Sequence, residues 1–183
     1  MSADTDPASP LPITVFSRVG ERSVAKMLAV VAALNVETRL RYKVRDIMGD
    51  GTLSTFCNVF AADYTRAMCA EIPHWVDAEG RPSLKAAGGH ELSANATQGW
   101  LEDHGLQYGW QRADAFEAMR YGNMGKPACF TWVNATGRSG HIAAVINATE
   151  GVMMLAQAGA LNSSRIPFSR VMGKTPVKFW VHE

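Results

Sequence analysis

From residue 126 onward the chain carries four short apolar or alternating runs, residues 128–133, 141–147, 152–157 and 177–182, separated by Gly, Asn and Ser. Runs of that length bounded by turn formers predict strands, and their close spacing predicts an antiparallel meander. Such a sheet must bury a face against something, and what precedes it is helical in pattern. The expected class is therefore α+β, with N-terminal helices packed on a small C-terminal antiparallel sheet.

The helical part begins at residues 17–35, where Val24, Met27, Leu28, Val31 and Leu34 recur at three- and four-residue intervals. Arg18, Glu21, Arg22 and Lys26 fall in its first half, which leaves the second half for burial. Residues 40–48 fit a short helix or an extended segment, and Gly49-Asp50-Gly51 is a turn. Residues 71–89 are rich in Gly and Pro and read as a loop. Residues 93–105 predict a helix capped by Ser93, with Trp100 on its apolar side and Gly105 as the C′ residue. Residues 113–122 predict another, closed by Gly122-Asn123. Residues 1–12, rich in Pro, Ser and Asp, predict a flexible leader, and residues 13–183 a single domain without repeats.

Residues 54–68 stand out chemically. Cys57, Phe60, Ala61, Tyr64 and Met68 share one helical face, and Ser54 or Thr55 is placed to cap the helix. A thiol in the first turn meets the positive end of the helix dipole, which favours thiolate. The competing reading is a small apolar filler, since free cysteines are commonly buried. Cys69 lies further along, away from the N-terminal amides, and Cys129 falls inside an apolar strand.

A cysteine nucleophile needs a base, and the base needs a group that fixes its tautomer. Of five histidines, His74 and His90 fall in the loop, His104 ends a helix and His182 is near the C-terminus, where solvation is expected. His141 follows Arg138-Ser139-Gly140 and opens an apolar strand, which would hold it at the sheet rim. Its alternative is a turn histidine that happens to begin a strand. If the next strand pairs antiparallel with it, Gln157 arrives beside His141 and can accept from an imidazole N–H. Asn162 competes for that role.

The remaining features exclude more than they suggest. A net charge of +1 gives no electrostatic footprint for nucleic acid. Three cysteines without a CxxC pair argue against a disulfide framework and a zinc knuckle. Phosphate-loop, HExxH and GxSxG motifs are absent, so no metal or cofactor is expected. The longest apolar run, residues 27–34, is too short to span a bilayer. The N-terminus carries acids where a secretory signal has bases, so synthesis in the cytoplasm without a signal peptide is expected.

Taken together, Thr55-Phe56-Cys57-Asn58-Val59-Phe60, Gly140-His141-Ile142-Ala143-Ala144-Val145 and Leu155-Ala156-Gln157-Ala158-Gly159 resemble the papain-like cysteine peptidases of the NlpC/P60 and CHAP group, which cut peptidoglycan peptides. The resemblance covers about residue 49 to the C-terminus. It implies Cys57 as nucleophile, His141 as base and Gln157 as the orienting residue. It implies an oxyanion site at the helix start near Ser54, Thr55 and Asn58. Trp75, Trp110 and Asn162 are the candidates for a substrate groove, with Trp100 a further one; core packing is the alternative for each tryptophan and is favoured for Trp100. The implied substrate is a peptidoglycan stem peptide. The implied setting is an antibacterial type VI secretion effector acting in the periplasm of a target bacterium, with a secretion carrier and a cognate immunity protein as partners. A phage-type endolysin, a papain-like deamidase or acyltransferase acting on protein, and an inactive binding module are the alternatives. Two departures are visible: Gln stands where the group has His, Asn or Glu, and no Gln precedes Cys57.

Overall fold

The computed structural model describes residues 4–47, 49–136 and 139–183. Among these, the centre is a six-stranded antiparallel sheet whose strands lie in the order Trp110–Ala113, Lys178–His182, Ala128–Trp132, His141–Thr149, Val152–Gln157 and Ser163–Pro167. In chain order the helices are α1 (Val24–Leu34), α2 (Cys57–Ala67), α3 (Ala94–Asp103), α4 (Ala115–Asn123) and α5 (Phe168–Met172). The central strands are β5 (Trp110–Ala113), β6 (Ala128–Trp132), β7 (His141–Thr149), β8 (Val152–Gln157), β9 (Ser163–Pro167) and β10 (Lys178–His182). Two short hairpins accompany them, β1 (Arg45–Asp46) with β2 (Leu53–Ser54), and β3 (Trp75–Val76) with β4 (His90–Glu91). The class is mixed α+β, as the sequence predicts.

The sheet is covered on both faces rather than one. On β7, Ile142, Ala144 and Ile146 pack with α1, α2 and α3, while Ala143 and Val145 pack with α4 and α5. The alternation follows from the period of two along a strand. It explains why β7 reads as a continuous apolar run: both of its faces are core. α4 sits so close to β7 that a Cβ on Gly122 would lie 2.7 Å from the Ile146 carbonyl oxygen. Gly122 is therefore a packing residue within the helix and not its stop.

The meander expectation holds for β6, β7 and β8, but the fourth expected strand, β10, returns to lie between β5 and β6. The outer strands β5 and β9 escape sequence reading for one physical reason. Edge strands have a solvated side and tolerate Arg, Ser and even Pro, as Trp110-Gln111-Arg112-Ala113 and Ser163-Ser164-Arg165-Ile166-Pro167 show.

α1 is shorter than the apolar period suggests. The Ser23 hydroxyl caps it by accepting from the Lys26 N–H at 3.2 Å, and Gly20 breaks the chain before it with φ +84°. Ser93 caps α3 as expected, accepting from the Ala96 N–H. Gly105, however, opens a 3₁₀ turn, Gly105–Tyr108, and packs on Trp110; Gly109, at φ +83°, supplies the left-handed residue.

Residues 4–12, read from composition as a flexible leader, lie against the body. The Arg41 guanidinium donates to the carbonyls of Asp6 and Ser9, Arg66 donates to Leu11, and Leu11 is buried with α1 and α2. Both arginines also face Asp63, which sits in the middle of α2 and is 3% exposed. Arg41 pairs with it at 3.0 Å, Arg66 at 3.1 Å, and the Tyr42 hydroxyl donates to it at 2.8 Å. This buried charge network locks α2, the helix that carries Cys57, to the 3₁₀ turn Leu40–Tyr42.

Candidate active site

α2 starts at Cys57 with Phe56 as its N-cap and no side-chain cap bond, so neither Ser54 nor Thr55 caps it. Ser54 is committed to β2, paired with Arg45, which moves the helix start along the chain. The first backbone N–H groups of α2 are left without intrahelical partners. Those of Cys57 and Asn58 face the Cys57 thiol, as do the N–H of Ile142 and the side chain of Thr55.

The thiol is almost fully covered, at 1% exposure. Burial pushes the Cys57 thiol up from its ordinary value, and the N–H groups of Ile142, Asn58 and Cys57, with Thr55, pull it part of the way back. The dipole argument from the sequence is thus outweighed by desolvation. The sulfur is buried among groups that would stabilise its anion.

His141 enters at the first position of β7, where Gly140 is required. A Cβ on Gly140 would lie 2.1 Å from the Trp132 carbonyl oxygen and 2.3 Å from Asn95 Oδ1. Arg138, part of the tripeptide preceding His141, lies outside the described residues. Across the antiparallel pair, Ala144 faces Ala156, which brings the end of β8 beside the start of β7. His141 Nε2 and Gln157 Oε1 are 2.8 Å apart. The amide orientation is fixed independently, because Gln157 Nε2 donates to the Leu161 carbonyl at 2.9 Å. Gln157 must therefore accept from His141, so Nε2 carries the proton of the neutral ring and Nδ1 carries the free lone pair. Burial pushes the imidazole down, and the bond to Gln157 pulls it up.

An open cleft is lined by Ser54 and Thr55, just before α2, and by Gly140, His141 and Gly159; Cys57 itself is buried beneath it and makes no hydrogen bond to His141. Gly159 keeps the histidine in place by its smallness: a Cβ there would sit 3.2 Å from His141 Cε1. Asn162 holds that glycine, accepting from its N–H at 3.0 Å while donating to the carbonyls of Val36 and Tyr42. Asn162 is thus a brace for the 158–162 segment and neither a partner of His141 nor a groove residue.

The other expected site residues separate. The Asn58 side chain turns to Glu91 Oε1 at 3.1 Å and the Leu92 carbonyl at 3.0 Å, tying α2 to β4; only its backbone N–H faces the sulfur. Trp75 lines a different cleft with Arg66 and His74, under the ammonium of Lys85. Trp110 is buried in the core beside Trp180, and Trp100, also buried, donates to the Gly80 carbonyl at 2.7 Å. Neither Trp75 nor Trp110 reaches the cleft at His141. His182 is half-buried edge-on to Trp110 rather than solvated. Cys129 is buried, and Cys69 follows α2 in a left-handed conformation, φ +52°.

Sequence reasoning missed Gly159, whose only trace is the small-residue run Ala158-Gly159-Ala160 beside a strand end. It also missed Glu91, which joins Asn58 to His74 through contacts of 3.1 and 2.9 Å. Among the described residues, no group of three or more His, Cys, Asp or Glu side chains could hold a metal ion, and no helix is long and apolar enough to cross a membrane. No protein-family model matches the chain, and a comparison with curated proteins finds no match.

Proposed function

We propose that the chain is a papain-like cysteine hydrolase that cleaves an amide bond, with Cys57 as nucleophile, His141 as general base and then acid, and Gln157 as the residue that orients the imidazole. The observation that carries this reading is the His141–Gln157 bond with its amide fixed by Leu161. It leaves the free lone pair on Nδ1, at the first residue of a strand whose second residue, Ile142, is buried in the same core cluster as Cys57.

The chemistry follows from these groups. Nδ1 of His141 takes the thiol proton as sulfur attacks the amide carbonyl carbon. The oxyanion that forms is met by N–H groups at the start of α2, the preorganised donors this site provides. Collapse breaks the C–N bond, and Nδ1–H gives its proton to the leaving amine. Water, deprotonated by Nδ1, then attacks the thioester, releasing a carboxylic acid product and restoring the thiol. Burial disfavours the charged form of both groups.

For substrate we propose peptidoglycan stem peptides, and for setting an antibacterial effector that meets the wall in the periplasm of a target cell. Both rest on the resemblance of residues 49–183 to the NlpC/P60 and CHAP group. Mass spectrometry of fragments from purified peptidoglycan tests the substrate. New stem-peptide termini are expected with the wild type and not with Cys57→Ala. Intact muropeptides after prolonged incubation with the wild type overturn the substrate assignment. The near-complete burial of Cys57 favours a second reading, an inactive binding module on the same scaffold. Capture of peptidoglycan without cleavage would select it.

A further inference from the structure

Past His141 the cleft opens into a second pocket of different character. His141 and Ala160 line both, so the two are continuous across the imidazole. The pocket has a volume of about 370 Å³, within the roughly 300–1,000 Å³ typical of small-ligand sites. It lies on the sheet face that carries Trp132 and Ile166, and these with Met172 of α5 form its apolar wall. The β8–β9 register shifts between Leu155 and Gln157, next to the pocket. Among the described residues that line it, only Arg170, exposed on α5, carries a fixed charge. In the other direction, beyond Ser54 and Thr55, the cleft adjoins one lined by Glu91.

We propose that this pocket is the leaving-group subsite of the Cys57–His141 hydrolase, taking an apolar residue whose carboxylate faces Arg170. The assignment rests on the proposed function and follows from the direction of proton transfer. His141 returns its proton to the leaving amine, so the departing fragment lies on the imidazole side of the scissile bond. The acyl part stays on sulfur, on the Thr55 side. The trough is polarised in the same sense, with a carboxylate beyond the acyl end and a guanidinium at the leaving end. A guanidinium recognises a carboxylate through its fixed fork of donors, and the aromatic and aliphatic wall selects an apolar side chain over a charged one.

The test uses the full-length Cys57→Ala protein, in which binding is read without turnover. Hexanoate, hexanol and hexylamine are titrated while methyl signals of labelled methionines are followed by NMR. Hexanoate is expected to move the Met172 signal and to bind about tenfold more tightly than hexylamine. Arg170→Ala should erase that preference, and Thr175→Phe, which places a ring at the pocket wall, should weaken hexanoate about tenfold. Equal binding of the three probes, or hexanoate binding unchanged in Thr175→Phe, overturns the pocket assignment whatever Cys57 does. In the wild type, peptides with Leu after the scissile bond should be cut about tenfold faster than those with Lys there. Hexanoate binding as stated, in a protein whose Cys57→Ala variant still cleaves, removes the hydrolase reading and with it the leaving-group role, leaving an apolar-carboxylate binding site.

Discussion

Gln157 accepts from His141 Nε2 at 2.8 Å while its own amide nitrogen is committed to the Leu161 carbonyl at 2.9 Å. One neutral side chain thereby fixes both the position and the tautomer of the imidazole. Gln157→Leu should leave the fold intact and lower kcat/KM about tenfold, the worth of one lost hydrogen bond. Gln157→Glu places a carboxylate against the ring, favours imidazolium, and should move the acid limb of the pH–rate profile upward by roughly one to two units. Profiles of the three proteins decide it; superimposable acid limbs in wild type and Gln157→Glu would contradict the contact.

The three thiols differ in reach. Cys69 is exposed, while Cys57 and Cys129 are buried and pushed up by that burial. Iodoacetamide at neutral pH should therefore label Cys69 first, Cys57 slowly, and Cys129 only on unfolding. The Cys57 rate should keep rising with pH past its ordinary value of 9.0, since the thiolate is the reactive form. Peptide mapping after timed quenching reads all three, and labelling of Cys57 ahead of Cys69 at pH 7 would show a stored thiolate instead.

Asp63 anchors the nucleophile helix through Arg41, Arg66 and Tyr42. Asp63→Ala leaves Arg41 buried without its carboxylate and should cost about 3–5 kcal/mol in a urea denaturation. Asp63→Ala combined with Arg41→Met should lose less than Asp63→Ala alone, because the stranded charge is gone as well. A double variant less stable than either single would contradict the coupling.

Stability should fall on mild acidification. Burial depresses the folded-state pKa of both His141 and His182 below the ordinary 6.5. Between the folded and unfolded values the unfolded chain binds more protons. Their contribution is thus fully present above about pH 6.5 and is lost as pH falls through the folded values. The Tm should drop between pH 7.5 and pH 5.5, and His141→Gln should flatten that drop. An unchanged slope in the variant would remove His141 from the account.

The strands β7 and β8 were legible because both are buried and apolar, and their antiparallel adjacency was enough to bring Gln157 to His141. Ser54, a good capping residue, does not mark the helix start because it is paired with Arg45 in a short hairpin. β5 and β9 were invisible because solvated edges carry no apolar alternation. The bracing role of Asn162 is not legible locally because its partners, the carbonyls of Val36 and Tyr42, lie 126 and 120 residues away. Trp75 and Trp110 sit where tertiary packing put them, and nothing in their local sequence distinguishes a groove from a core. The direction of the Cys57 shift depended on depth of burial, which helical periodicity does not encode.

The central claim is that the Cys57 thiol attacks with His141 as its base. Initial rates of new amino-terminus release from purified peptidoglycan, measured for the wild type, Cys57→Ala, His141→Ala and Cys69→Ala, test it most directly. The account predicts losses of about 10³-fold or more for Cys57→Ala and for His141→Ala, with Cys69→Ala at the wild-type rate. Release by Cys57→Ala at the wild-type rate would contradict it.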